Sequence, residues 1–169
     1  VSYNDLLNFT WSTPIKDKNG NNTLWEKTSY DSRDWNFIRE GLVKIYAALK
    51  TEGDYSFLSH FDVARVDYCT FGNSNPFRIR IVNKFNDNYD HYYIKIADAS
   101  RIYGLELEHI LSPNRIIFFT SDNTLVEEHI PGIPGDMFVS QFLNAPDMNK
   151  IRIAKEFVKF NERCFVRLL

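Results

Sequence analysis

The chain has 169 residues, 44% hydrophobic and 25% charged, which is enough for one folded domain and too apolar for a disordered chain. Its formal net charge of -2 gives no electrostatic case for nucleic acid or an anionic membrane, and no apolar run approaches the length of a membrane span. Cys69 and Cys164 stand alone, forming neither a disulfide framework nor a metal site, so buried reduced thiols and a cytoplasmic location are expected.

The N-terminus, Val-Ser-Tyr, has no starting Met, basic stretch or apolar signal core, which reads as a fragment or a processed chain. Asn8-Phe9-Thr10 and Asn21-Asn22-Thr23 match glycosylation acceptors, a pattern short enough to arise by chance. Asp17 to Thr23 is a polar turn cluster. From Asp31, with Ser32 placed to cap, Trp35, Ile38, Leu42, Ile45, Tyr46 and Leu49 recur at helical spacing. This predicts an amphipathic helix packed on the downstream part of the chain. Residues 1–60 carry no functional motif and read as an N-terminal extension bearing that helix.

Three strand-like stretches come next, Phe61 to Phe71, Phe77 to Phe85 and Tyr89 to Ala97. The turn residues Gly72 to Pro76 and Asn86 to Asn88 separate them, so an antiparallel meander is the simplest topology. A helix is predicted from Ala99 to Leu111, stopped by Ser112-Pro113-Asn114. Arg115 to Thr120 and Thr124 to Glu128 read as two more strands around Ser121-Asp122-Asn123. Pro131 to Gly135 is a stiff linker, followed by a short helix near Asp136 to Leu143, with Asp136 as its cap, and a long helix from about Asp147 to the end. Ile151, Ile153, Ala154, Phe157, Val158, Phe160 and the apolar residues beyond cover most of the long helix, which predicts packing inside a larger body or against a second copy. The expected fold is α+β: an antiparallel five-stranded sheet with one packed helix, an N-terminal helix and a C-terminal helical segment. Its divisions fall at 1–60, 61–130 and 131–169.

Three local features carry chemistry. Tyr92-Tyr93-Ile94-Lys95 lies on the third strand of the meander, and strand alternation puts Tyr93, Lys95 and Ala97 on one face. On the helix Ala99 to Leu111, Ile102, Tyr103, Leu105, Leu107 and Ile110 define an inward face at 100° per residue; Glu106 falls within it and Glu108 on the far side. A glutamate on a buried face needs a partner, because an unpaired buried carboxylate is costly. The third feature is Leu125-Val126-Glu127-Glu128-His129-Ile130-Pro131-Gly132, an apolar strand running through a Glu into an Ile-Pro-Gly turn. His60, His91, His109 and His129 show no ligand spacing with cysteines or acids, so no metal site is expected.

Taken in order from about Phe61 onward, these features resemble the smaller, N-terminal lobe of the protein-kinase-like fold, closest to the aminoglycoside and choline phosphotransferase branch. The resemblance implies ATP with magnesium as ligands. Lys95 would sit at the α/β phosphates, Glu106 would hold Lys95, and Tyr93 would stand beside the adenine. The Glu128 carbonyl and the Ile130 amide would read the base. Gly72 to Pro76 has one glycine where a protein kinase repeats them, the interval from Lys95 to Glu106 is short, and no catalytic or metal-binding aspartate motif comes after the last helix. The expectation is therefore the nucleotide-binding portion of a phosphotransferase, cut before its catalytic loop and inactive as it stands. Its partners would be a nucleotide and either the missing larger lobe or a second copy through the last helix, with no nucleic acid and no membrane. The alternative is a non-catalytic interaction module or pseudokinase-like domain.

Overall fold

The computed structural model describes residues 1–51, 54–112, 115–146 and 148–168, with side chains described as far as 163 in the last helix. Pro113, Asn114, Asp147 and the Cys164 side chain lie outside the described residues. In chain order the elements are α1 (Tyr3–Leu6), β1 (Trp11–Lys16), β2 (Asn22–Ser29), α2 (Ser32–Thr51), a 3-10 turn (Leu58–His60), β3 (Phe61–Cys69), β4 (Phe77–Asn83), β5 (Tyr89–Ile96) and α3 (Ala99–Leu111). After these come β6 (Phe118–Ser121), β7 (Thr124–Glu128), α4 (Gly135–Met137), a π-helical turn (Phe138–Phe142) and α5 (Lys150–Leu168).

The fold is α+β, and its strands form one antiparallel sheet in the order β1-β2-β3-β4-β5-β7-β6. The expected meander is β3-β4-β5, and the hairpin β6-β7 returns to pair with β5. The sheet has seven strands, not five, because residues 1–60 contribute β1 and β2. Their hairpin closes over the polar cluster at Asp17, whose Oδ1 accepts from the amides of Asn19 and Asn21 at 2.8 and 2.9 Å while Gly20 takes φ 85°. The other hairpins turn through Gly72 and Asn75, Asp87, and Asp122, each at positive φ, which glycine or a short polar side chain tolerates.

One face of the sheet carries the core. Alternation along β4 and β5 buries Phe77, Ile79 and Ile81 beside Tyr92 and Ile94, and α2 lays Ile38, Leu42 and Val43 over them. Tyr92 is fully buried, yet its hydroxyl is satisfied, donating to the Leu42 carbonyl at 2.8 Å. The short α1 is fixed at both ends of its first turn: Ser2 and Asp5 form a capping box, and the Tyr3 amide donates to Thr124 Oγ1 at 2.9 Å. Residues 1–60 are thus continuous with the sheet in strand pairing and core.

By contact density the chain forms two compact units, Val1–Ala99 with Ile117–His129, and Ser100–Ile116 with Ile130–Leu169. The first holds all the strands and the core just described. The second holds nearly all of α3, with α4 and α5. Over 151–163, α5 is more amphipathic than the sequence count suggested: Arg152, Lys155, Glu156, Lys159, Glu162 and Arg163 share one side when placed at 100° per residue. Ile151, Ile153, Ala154, Phe157, Val158 and Phe160 take the other side, a narrower spread than the expected all-round apolar helix. Among the described residues no helix is long and apolar enough to cross a membrane.

Candidate functional site

The face of the sheet opposite α2 is polar and aromatic. Strand register lines up Lys27, Asp67, Arg78, Tyr93, Glu127 and Phe118 as direct neighbours across β2, β3, β4, β5, β7 and β6. A second row pairs Arg65 with Arg80 and Arg80 with His91. Lys27, Arg65, Arg78, Arg80 and, by alternation with Tyr93, Lys95 therefore share this face with the acids Asp67 and Glu127.

Asp67 is fully buried between two arginines. Arg78 donates to its Oδ2 from Nε at 3.0 Å and Nη2 at 2.7 Å. Arg65 Nε lies 2.6 Å from Oδ1 but off the angle of a hydrogen bond, so that contact is an ion pair alone. Arg78 also stacks over Trp25, with Cζ 4.3 Å from the ring centroid, and Trp25 leans on Tyr93 at 6.2 Å between centroids. The Tyr93 hydroxyl is hydrogen-bonded to His129 Nδ1 at 3.1 Å, and the His91 and His129 rings sit 5.8 Å apart. Burial holds the His91 pKa down to about 4, helped by Arg78, His129 and Arg80 and opposed by Asp67. Burial likewise raises the Tyr93 phenol.

Tyr93 and Lys95 share this face as the alternation predicts, since Tyr92 and Ile94 fill the core. The Lys95 ammonium donates to Glu127 Oε2. Lys95 stands opposite Leu125, so Glu127 is its diagonal neighbour on β7, within reach of a long alkyl stem. Both ends are sheltered, the Lys95 side chain being 17% exposed and that of Glu127 5%. Glu106 is exposed on α3, where Leu105 is the buried residue and Glu108 is half-buried. The helical-wheel reading, with Glu106 inward and Glu108 solvated, is thus reversed in exposure, because the apolar stripe on α3 is only partly covered: Tyr103, Leu107 and Ile110 are exposed as well.

Glu128 ends β7 with its side chain toward α2. Its Oε1 accepts from the Ile117 amide at 2.8 Å, and Lys50 Nζ lies 3.4 Å from Oε2 and 3.4 Å from Asp90. Ile130 is 59% exposed. Sequence reasoning singled out Tyr93, Lys95, Glu106, Glu128 and Ile130 and missed Glu127, Asp67, Arg78 and Trp25. Their shared face was recoverable from strand alternation only once the partner strands and their register were known. A cavity of about 320 Å³ beside the Arg39–Asp62 ion pair, lined also by Val43, Leu58, Phe61 and Lys84, includes none of these residues. Among the described residues no cluster of three or more His, Cys, Asp or Glu could hold a metal ion. Comparison with protein-family models, with curated proteins and with solved structures finds no match to this chain.

Proposed function

We propose that this chain is the nucleotide-binding portion of a kinase-like phosphotransferase and that it holds ATP on the polar face of its sheet. The observation that carries this reading is Lys95: an ammonium on the third strand of an antiparallel meander, sheltered, held by a buried carboxylate, and on the same face as Tyr93. A compact ammonium suits a phosphate as a point charge, and a neighbouring aromatic offers the base a surface. The order of meander, helix, returning hairpin and Pro-Gly turn supports the same assignment. In it Lys95 meets the phosphates, Tyr93 the adenine, and the backbone from Glu128 to Ile130 the edge of the base. Magnesium would arrive with the triphosphate, since the described residues supply no acidic ligand cluster for it. The chain carries no catalytic-aspartate motif of that family, so the reading is one of binding, not turnover.

Calorimetric titration with ATP and magnesium, beside Lys95→Ala, tests it. Saturable binding is expected, weakened about tenfold or more in the variant by loss of a charge-assisted contact. Absence of binding by the unaltered chain rejects the reading. It would favour a non-catalytic interaction module, for which the specific observation is α5, whose Ile151, Phe157 and Val158 are 70%, 69% and 64% exposed.

A further inference from the structure

The resemblance supplies Lys95 with a carboxylate from the helix that comes after its strand, whereas the sheet supplies one from its own neighbouring strand. We infer that Glu127 on β7, rather than Glu106 on α3, is the positioning residue that sets Lys95 for the phosphates of a nucleotide; this rests on the nucleotide reading above. Glu127 is almost wholly buried, and an anion so placed is stable only when paired. The Lys95 ammonium is a partner of Glu127 and carries three donors, so one bond to Glu127 leaves two for phosphate oxygens.

The two residues sit on adjacent strands whose register is fixed by consecutive pairs from Tyr92↔Glu128 to Ile96↔Thr124. Only side-chain torsions separate the lysine from its holder. Glu106, in contrast, is exposed and belongs to the other compact unit.

The test uses the full chain with lysine labelled at 15Nζ, in four variants: Lys95→Gln, Glu127→Gln, Glu106→Gln, and Lys95→Gln with Glu127→Gln. A cooperative thermal transition shows that each is folded. Without ligand, the Lys95 ammonium signal, assigned by its loss in Lys95→Gln, should be lost in Glu127→Gln and unchanged in Glu106→Gln. With ligand, Glu127→Gln should weaken ATP about tenfold or more while leaving adenosine affinity unchanged, because the lysine touches only phosphates. The double variant should bind ATP no worse than Lys95→Gln alone, as expected of a residue that acts through another. Loss of the ammonium signal in Glu106→Gln instead of Glu127→Gln overturns the pairing. Equal weakening of ATP and adenosine in Glu127→Gln overturns the positioning role and leaves a structural one. Failure of the unaltered chain to bind either ligand overturns the nucleotide reading and the role with it, and the ammonium signal then reports only a structural ion pair.

Discussion

Asp67 and His91 show how charge is arranged around the candidate site. Asp67 has no exposed surface and is acceptable there because two guanidiniums surround it; Arg78 is in turn braced by the Trp25 ring. Burial weighs most on His91, and the positive surroundings add to it, since the ring lies beside Arg80 in the register and feels Arg78 and His129 as well. Its pKa falls from about 6.5 to about 4, so the folded chain keeps the ring neutral over a range in which the unfolded chain protonates it. Between those values the unfolded state binds more protons, so the contribution of His91 is complete above the upper value and is lost as pH falls toward the lower one. The midpoint of urea unfolding should therefore drop across this window in the unaltered chain, and His91→Asn should flatten the slope. The window is separable from that of the carboxylates. Asp62, held low by its bond to Arg39, and Asp5, held low by the Ser2 amide, lose their contributions only below the ordinary carboxylate pKa of 3.8. An undiminished slope in His91→Asn between pH 6.5 and 4 would assign the acid sensitivity elsewhere.

At the scale of elements, what orders the sheet is the helix laid across it. Leu42 is fully buried in the centre of α2, touches the same core as Phe77 and Ile79, and its carbonyl satisfies the Tyr92 hydroxyl. Leu42→Ala should cost about 2–5 kcal/mol, from lost transfer energy plus a cavity that a clamped helix cannot close. Urea unfolding should show a lower midpoint at an unchanged slope. A cost below about 1 kcal/mol would mean that α2 slides to fill the space. This helix was plain in the sequence because its period is local, and so were β3, β4, β5, β7 and α3. The strands β1 and β2 were not. Trp11 to Lys16 holds a proline, sits at the sheet edge and is mostly exposed, so it lacks the alternation that marks a half-buried strand. The site divides in the same way. Tyr93 and Lys95 share a face by simple alternation, which any strand reading delivers. The partner of Lys95 is not deducible from local pattern, because the register of β5 against β7 is set by pairing across more than thirty intervening residues at Tyr92↔Glu128. Helical periodicity offered Glu106, a nearer candidate in sequence but one that is exposed.

Over the whole chain, the two compact units differ in how much they bury. The first carries the cluster of Leu6, Leu42, Phe77, Ile79, Ile81, Tyr92, Ile94 and Val126, each at most 1% exposed. In the second, no described residue from Ile130 to Arg163 is buried, even where the chain is helical. Hydrophobic burial is the main favourable term in folding, and a helix without it depends on propensity, which is marginal at this length. Amide protection should track that division. In native-state hydrogen exchange, amides of β4, β5 and β7 should open only with global unfolding. Their exchange free energies should fall together as urea is added, with the slope of the whole transition. Amides of α5 should exchange through a smaller opening, with a shallower urea dependence and a free energy well below the global value. The two classes should converge only near the unfolding midpoint. If α5 instead exchanges with the slope and free energy of β5, its exposed Ile151, Phe157 and Val158 are covered in solution. Repeating the measurement at tenfold lower protein concentration would then separate a second copy from a contact within the chain, since only the first loses protection on dilution.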